Sequence, residues 1–334
     1  MTIRNKIPFS FRKYSNIHFQ GDQNILLFST PRSGSTWLLE MIAGQPRIKT
    51  VREPLNIRLD HICEMLGFNT WEELYEEKNF PLILEYLKSF SKNSKIHYRF
   101  KKEKPFTDTW HFITNRLLYK ILHGLENRVE ELTYELDATS IVLMRHPIPV
   151  SLSREVLPRL EAYQNSDYKK HFTSSELDLA KRITDNGSIF EKGILSWCFQ
   201  NKVLIEQSKA GLLLSYEELV MNRDCVLPKI SDHLKLPDPQ KMLKRSRKAS
   251  GSTSKSTKRS VKLLKEVRMG EKSYLKLIEK WKTKTSSEMI EKAQHILDEF
   301  EISAYRAEAI MPTKDFLICR DSYSDNEQKQ NKRN

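Results

Sequence analysis

Asn24-Ile25-Leu26-Leu27-Phe28-Ser29-Thr30-Pro31-Arg32-Ser33-Gly34-Ser35-Thr36-Trp37-Leu38-Leu39-Glu40-Met41-Ile42 is the stretch that decides the fold. Ile25 to Ser29 is a short apolar run of the kind that forms a buried parallel strand, and Trp37 to Ile42 reads as a helix. Between them, Pro31 removes a donor and stiffens the entry, while Gly34 permits a tight backbone path. The hydroxyls of Ser33, Ser35 and Thr36, with successive amides, predict a nest at the positive end of the helix. Strand, tight loop and helix in this order suit a phosphate-like anion. The loop is not a Walker A loop, because Ser29 stands where its first glycine belongs and Ser35 where its lysine belongs. Support for nucleoside triphosphate hydrolysis falls with it. The plain alternative is an ordinary strand-to-helix turn, but Pro-Arg-Ser-Gly-Ser-Thr-Trp is far more specific than a lone glycine-rich turn.

A second strand-to-helix junction supplies a partner. Ser140-Ile141-Val142-Leu143-Met144 predicts another buried strand, followed by Arg145-His146-Pro147 and a helix starting near Pro147 and running through Ser153. An arginine at the carboxyl end of such a strand faces the crevice where open α/β sheets bind ligands. Ser153 follows Arg145 by eight residues, about two helical turns, so its hydroxyl and the guanidinium are placed to share one phosphate. Taken alone, Arg145 is equally a partner for a surface carboxylate.

On these residues the chain resembles the sulfotransferases that use 3′-phosphoadenosine 5′-phosphosulfate (PAPS). Thr30 to Leu38 is similar to the family's 5′-phosphosulfate loop, and Arg145 with Ser153 resembles its 3′-phosphate motif, interval included. Trp197 in a long helical stretch, the run Leu212-Leu213-Leu214-Ser215-Tyr216-Glu217-Glu218-Leu219, and Trp281 ahead of an amphipathic helix from about Ser286 to Phe300 resemble further family elements. The resemblance implies one α/β domain over 24–312, with a central, mainly parallel sheet flanked by helices in a P-loop-kinase-like plan. Residues 1–23 then form an N-terminal extension and 313–334 a polar, disordered tail. Residues 56–139 and 154–190 are expected to be largely helical insertions on the acceptor side.

The same resemblance implies the chemistry. Arg32 stands where small-phenol and steroid members carry lysine, which places the loop with carbohydrate and lipid-type members. Their Glu-Pro-Leu is matched by Glu53-Pro54-Leu55 at the expected end of the second strand, making Glu53 the implied base. Its bland reading is a carboxylate held by Arg52 or Arg58. Arg32, with the amides of Ser33, Gly34, Ser35 and Thr36, is implied to bind the 5′-phosphosulfate and to neutralise charge in the transition state. Trp37 falls where the family stacks an aromatic near adenine, or else is a core residue. Arg247-Lys248-Ala249 replaces the Arg-Lys-Gly of phenol enzymes, and Arg247 and Lys248 are expected near the 3′-phosphate in a mobile basic loop, 245–259, that closes over it. The co-substrate is PAPS, without a metal, and the acceptor is a hydroxyl on a carbohydrate, glycolipid or other alcohol, with an anionic acceptor left open. None of His97, His111, His123 and His146 is selected as a base, because a lone histidine without a visible partner is more often structural.

Composition sets the outer bounds. The chain has 334 residues, 39% of them hydrophobic, and ten glycines with thirteen prolines, which excludes collagenous and low-complexity classes. Its net charge of +13 is matched by residues 241–284, which hold 16 Lys and Arg against Glu266, Glu271 and Glu279. A concentrated basic segment implies a polyanionic partner or a solvated face. Nucleic acid is disfavoured because no helix-turn-helix, zinc-finger or aromatic RNA-binding signature accompanies the charge. A P-loop kinase or NTPase remains the rival enzyme class. No apolar run approaches a membrane span, and residues 1–23 lack a secretory h-region, so cytoplasm is expected, with an organelle transit peptide as the alternative. Cys63, Cys198, Cys225 and Cys319 are widely spaced and are expected to be free thiols.

Overall fold

Every residue of β2 (Asn24–Ser29) is buried, as a strand covered on both faces requires. The structure, a computed structural model, describes residues 17–92, 113–208, 210–248, 250 and 271–320. Around β2 stand β3 (Ile48–Arg52), β5 (Arg116–Ile121), β6 (Ala138–Met144) and β7 (Leu212–Ser215), while β1 (Ile17–His18) pairs with β4 (Ile113–Thr114) in a separate ribbon. The five-stranded sheet is parallel throughout, in the order β3-β5-β2-β6-β7. Ile25 pairs with Leu118 on one side and with Thr139 on the other.

Helices connect the strands on both faces. Helix α1 (Ser35–Ile42) leads from β2 to β3, and α2 (Asp60–Leu66) and α3 (Phe80–Lys88) follow β3. Helix α4 (Val129–Glu135) precedes β6; α5 (Pro147–Ser151), α6 (Leu160–Asn165), α7 (Ser174–Asn186) and α8 (Ile189–Gln207) fill the stretch to β7. Past β7 come α9 (Tyr216–Met221), α10 (Arg223–His233), α11 (Pro239–Ser246), α12 (Glu271–Ile278) and α13 (Ser287–Glu299). Alternate residues of β2 enter opposite cores: Leu26 and Phe28 pack with Trp197 and Phe199, whereas Ile25 and Leu27 pack with Leu38, Leu143 and Leu214. The stripe Phe190, Ile194, Trp197, Asn201 and Leu204 on α8 is buried, and a capping box of Ser188 with Glu191 starts that helix.

Several expectations need correction. The stretch 56–139 is not simply a helical insertion: it contains β5, which lies inside the sheet between β2 and β3. Arg116 and Lys120, both buried, interrupt its apolar run and disguise it as a polar segment. The helix after Arg145 ends at Ser151, and Ser153 lies in the following turn, its amide bonded to the Val150 carbonyl at 3.1 Å. Two of the four cysteines are not free, since Cys225 and Cys319 form a disulfide with Cα atoms 6.3 Å apart, while Cys63 and Cys198 are thiols. Their wide sequence separation hid the pair, and the thiol argument for a reducing compartment does not hold for it. The first part of the expected tail is packed: Leu317 and Cys319 are buried, and Glu218 accepts the amides of Ile318 and Cys319 at 3.0 and 2.7 Å. Arg245, expected in a mobile loop, is helical and ion-pairs with Glu40. The remainder of that loop from residue 251, the tail from 321, residues 1–16, and His97 and His111 lie outside the described residues. Among the described residues no helix is long and apolar enough to cross a membrane.

Candidate active site

The carboxyl ends of β2, β3, β5 and β6 open into one cleft of about 1470 Å³. Arg32, Gly34, Ser35, Thr36, Trp37, Glu53, Arg145, Ser153, Arg247 and Lys248, drawn from five separate stretches of sequence, all line it. Ser33 does not: its side chain is buried and bonds to the Thr30 hydroxyl, closing the base of the loop.

The loop between β2 and α1 is held in an unusual backbone shape. Arg32 and Gly34 both have positive φ, 75° and 88°. Gly34 caps α1 with no side-chain hydrogen bond, and the amides of Ser35 and Thr36 make no backbone hydrogen bond among the described residues. Unsatisfied amides at a helix start, beside the exposed Arg32, form an anion cradle. Gly34 is fixed twice, because its φ favours glycine and the Tyr216 ring occupies the space of a side chain.

Tyr216 joins the two phosphate-type motifs. The Arg145 guanidinium carbon sits 4.4 Å from the centroid of its ring, and Trp37 meets it edge-on at 6.1 Å. Arg145 Nη1 also donates to the Arg32 carbonyl at 3.0 Å, while Trp197 Nε1 donates to the Arg145 carbonyl at 2.9 Å. The second motif is thereby docked on the first. Ser153 Oγ donates to the Val150 carbonyl at 2.8 Å and retains acceptor capacity. Trp37 is a wall of the cleft rather than a core residue, with Nε1 donating to the Lys248 carbonyl at 3.1 Å.

Glu53 follows β3 directly with φ 50°, and its amide still bonds to the Lys120 carbonyl at 2.8 Å. Its carboxylate has two partners across the mouth of the sheet. Oε1 accepts from Lys120 Nζ at 3.1 Å and Oε2 from Asn56 Nδ2 at 3.3 Å. Lys120 also donates to Thr36 Oγ1 at 3.0 Å, so one ammonium ties the carboxylate to the anion cradle. Burial lowers the Lys120 pKa, an effect opposed by Glu53. Sequence reading missed Lys120 because it missed β5; the signal was a lysine near the end of an apolar run, Leu117 to Ile121.

Neither His123 nor His146 competes for the role of base. His146 is buried away from the cleft against Trp281, and burial pushes its pKa down to about 3. His123 lines the cleft, but burial and neighbouring arginines hold it well below its ordinary range. Glu217 and Glu218 are structural: Glu217 accepts from the His146 amide and the Tyr305 hydroxyl, and burial raises both carboxyls.

Comparison with known proteins identifies the family. A family model described as a sulfotransferase domain matches residues 22–301, and the chain belongs to that family. It is an enzyme of the PAPS-dependent sulfotransferase class, and its parallel sheet flanked by helices is that family's P-loop-kinase-like fold. Similar solved structures include the sulfotransferase domain from the curacin biosynthetic pathway, 17% identical over 85% of this chain and 99% of that one, TM-score 0.41. The sulfotransferase domain of the Synechococcus PCC 7002 olefin synthase is 15% identical over 83% and 95%, TM-score 0.42. Mouse sulfotransferase SULT7A1 complexed with PAP is 15% identical over 92% and 90%, TM-score 0.42. The comparison with curated proteins returns no match.

Proposed function

We propose that the cleft transfers a sulfuryl group from PAPS to a hydroxyl of a carbohydrate, glycolipid or other alcohol, with Glu53 as the base. The observation that carries this reading is the Lys120 ammonium, which bridges Glu53 and Thr36 and so puts a carboxylate beside an anion cradle. Arg32 and the amides of Gly34 to Thr36 bind the 5′-phosphosulfate. Arg145 and Ser153 bind the 3′-phosphate, Trp37 lies along the adenine, and Arg247 and Lys248 add positive charge at the rim.

In the transfer, the acceptor oxygen attacks sulfur in line while its proton passes to a Glu53 carboxylate oxygen. The bond from sulfur to the bridging oxygen breaks, and its electron pair stays on the 5′-phosphate of adenosine 3′,5′-bisphosphate (PAP). Arg32, Lys120 and the loop amides meet the charge growing on that bridging oxygen. Lys120 moves no proton in this scheme; it holds the carboxylate and the loop in one geometry.

Thermal-shift titration with PAP, with ATP and Mg²⁺, and with duplex DNA tests the reading. PAP is expected to raise the midpoint most. A larger shift with ATP and Mg²⁺ would support a kinase or NTPase instead, and a larger one with DNA a nucleic-acid binder.

A further inference from the structure

The cations at the inner wall of the cleft are not equally paired. Lys120 meets Glu53, and Arg159, fully buried, meets Glu126 Oε1 at 2.6 Å, the Tyr75 hydroxyl at 2.8 Å and the Leu122 carbonyl at 3.0 Å. Arg154 is 8% exposed and lines the same cleft, yet among the described residues its guanidinium has one hydrogen-bond partner, Ser196 Oγ, at 3.2 Å from Nη1. Among the described residues no carboxylate pairs with it or with Arg58, an exposed residue of the same wall. The acid next in sequence, Glu155, also lines the cleft, is exposed, and forms no ion pair among the described residues. Burial disfavours the Arg154 charge most, and Arg159 and Arg58, both of like sign, add to that.

A guanidinium presents five donors, and one taken out of water without a counter-charge carries a large desolvation penalty. Arg159 offsets it by pairing with Glu126. Arg154 therefore has donors and charge left for a group that enters the cleft. Its place is set by its neighbours. Arg154, Arg58, His123 and Lys120 all line the cleft with Glu53, and Lys120 holds Glu53. Trp37, Tyr216 and Arg145 stand on the nucleotide side of the cleft, with Arg32 beside them.

We propose that Arg154 and Arg58 form an oxyanion subsite beside Glu53, so that the acceptor carries a carboxylate or sulfate in addition to the hydroxyl that is sulfated. This inference rests on the proposed function, because only a sulfuryl acceptor has reason to lie against Glu53. Ligands of this class match the fork of a guanidinium with two oxygens, which a neutral alcohol does not offer. The Ser196 hydroxyl contact takes up Nη1 at 3.2 Å and leaves the remaining guanidinium donors for the acceptor.

Calorimetric titration of the full chain, saturated with PAP and held at constant ionic strength, tests the subsite with acetate and inorganic sulfate as probes. The saturating PAP occupies the nucleotide positions, and the two probes separate carboxylate from sulfate recognition. At least one probe is expected to bind wild type and to bind Arg154→Met about tenfold more weakly, with PAP affinity equal in both proteins. Equal probe affinity in the two proteins, or no binding of either probe to wild type, would overturn the subsite while leaving the PAP site intact. If Arg154→Met does not fold, Arg58→Ala decides: the surface change is expected to weaken the probe about threefold, and an unchanged affinity overturns the proposal. Failure of wild type to bind PAP at all would remove the reading on which the subsite rests.

Discussion

A Cβ built on Gly34 would stand 2.5 Å from Cδ2 of Tyr216. The ring cannot retreat without releasing Arg145, which stacks on it. Gly34→Ala therefore strains the backbone and separates the two phosphate-type motifs together. The variant is expected to lose about 1–3 kcal/mol of stability and most of its affinity for PAP, read by thermal melts and calorimetry. Wild-type affinity in Gly34→Ala would show that the packing against Tyr216 is dispensable.

Glu53→Gln keeps the shape of the side chain and a partner for Lys120, and it removes the proton acceptor. PAP affinity is expected to stay near wild type while turnover drops by about 10²–10⁴. Lys120→Met, which unties Glu53 from Thr36, is expected to lower both turnover and PAP affinity. Unchanged turnover in Glu53→Gln would discard Glu53 as the base.

Arg145→Ala and Ser153→Ala are expected to weaken PAP more than adenosine 5′-monophosphate, which lacks the 3′-phosphate. The arginine change should be the larger, because Arg145 also holds the Arg32 carbonyl at 3.0 Å. Competition between the two nucleotides measures this, and retained discrimination in both variants would reassign the motif.

His146 makes stability fall in mild acid. Burial holds it down to about 3, below the ordinary 6.5, so the unfolded chain binds the proton and the folded chain does not. The stabilisation is complete above the unfolded pKa and is lost as pH falls toward the folded one. Between about pH 7 and pH 5 it amounts to roughly 2 kcal/mol, and His146→Asn should lack that dependence. Urea unfolding at the two pH values checks it; equal losses in wild type and variant would exonerate His146.

Alkylation of the denatured protein before reduction should label Cys63 and Cys198 alone, and after reduction all four cysteines, because Cys225 and Cys319 are paired. Intact mass distinguishes the two patterns. Four labelled thiols before reduction would remove the disulfide.

The parts of the site carried by local pattern were legible in the sequence. The loop from Thr30 to Thr36 shows its hydroxyls, glycine and flanking apolar runs within one window, and Arg145 ends an unbroken strand. What stayed hidden depends on contacts between distant segments. Lys120 reads as an ordinary surface lysine until β5 is placed beside β3, which brings Nζ to Glu53. The Cys225–Cys319 pair and the seat of Ile318 on Glu218 join residues about a hundred positions apart, where spacing carries no information. Ser33 shows the opposite failure: its hydroxyl matched the motif, yet it is spent inside the loop on Thr30.

The position of β2 in the sheet orders events as the chain is made. Both of its neighbours, β5 and β6, follow it only after long intervening segments, so nothing emerging early can pair with it. Residues 30–36 therefore acquire their shape only when the chain has reached Met144, and gain the Tyr216 buttress later still. Sheets built from such distant pairings close slowly, leaving apolar strands such as Ile25–Phe28 uncovered in the meantime. Nascent chains that stall before β6 are consequently the ones that expose sticky strand surface to chaperones and to one another.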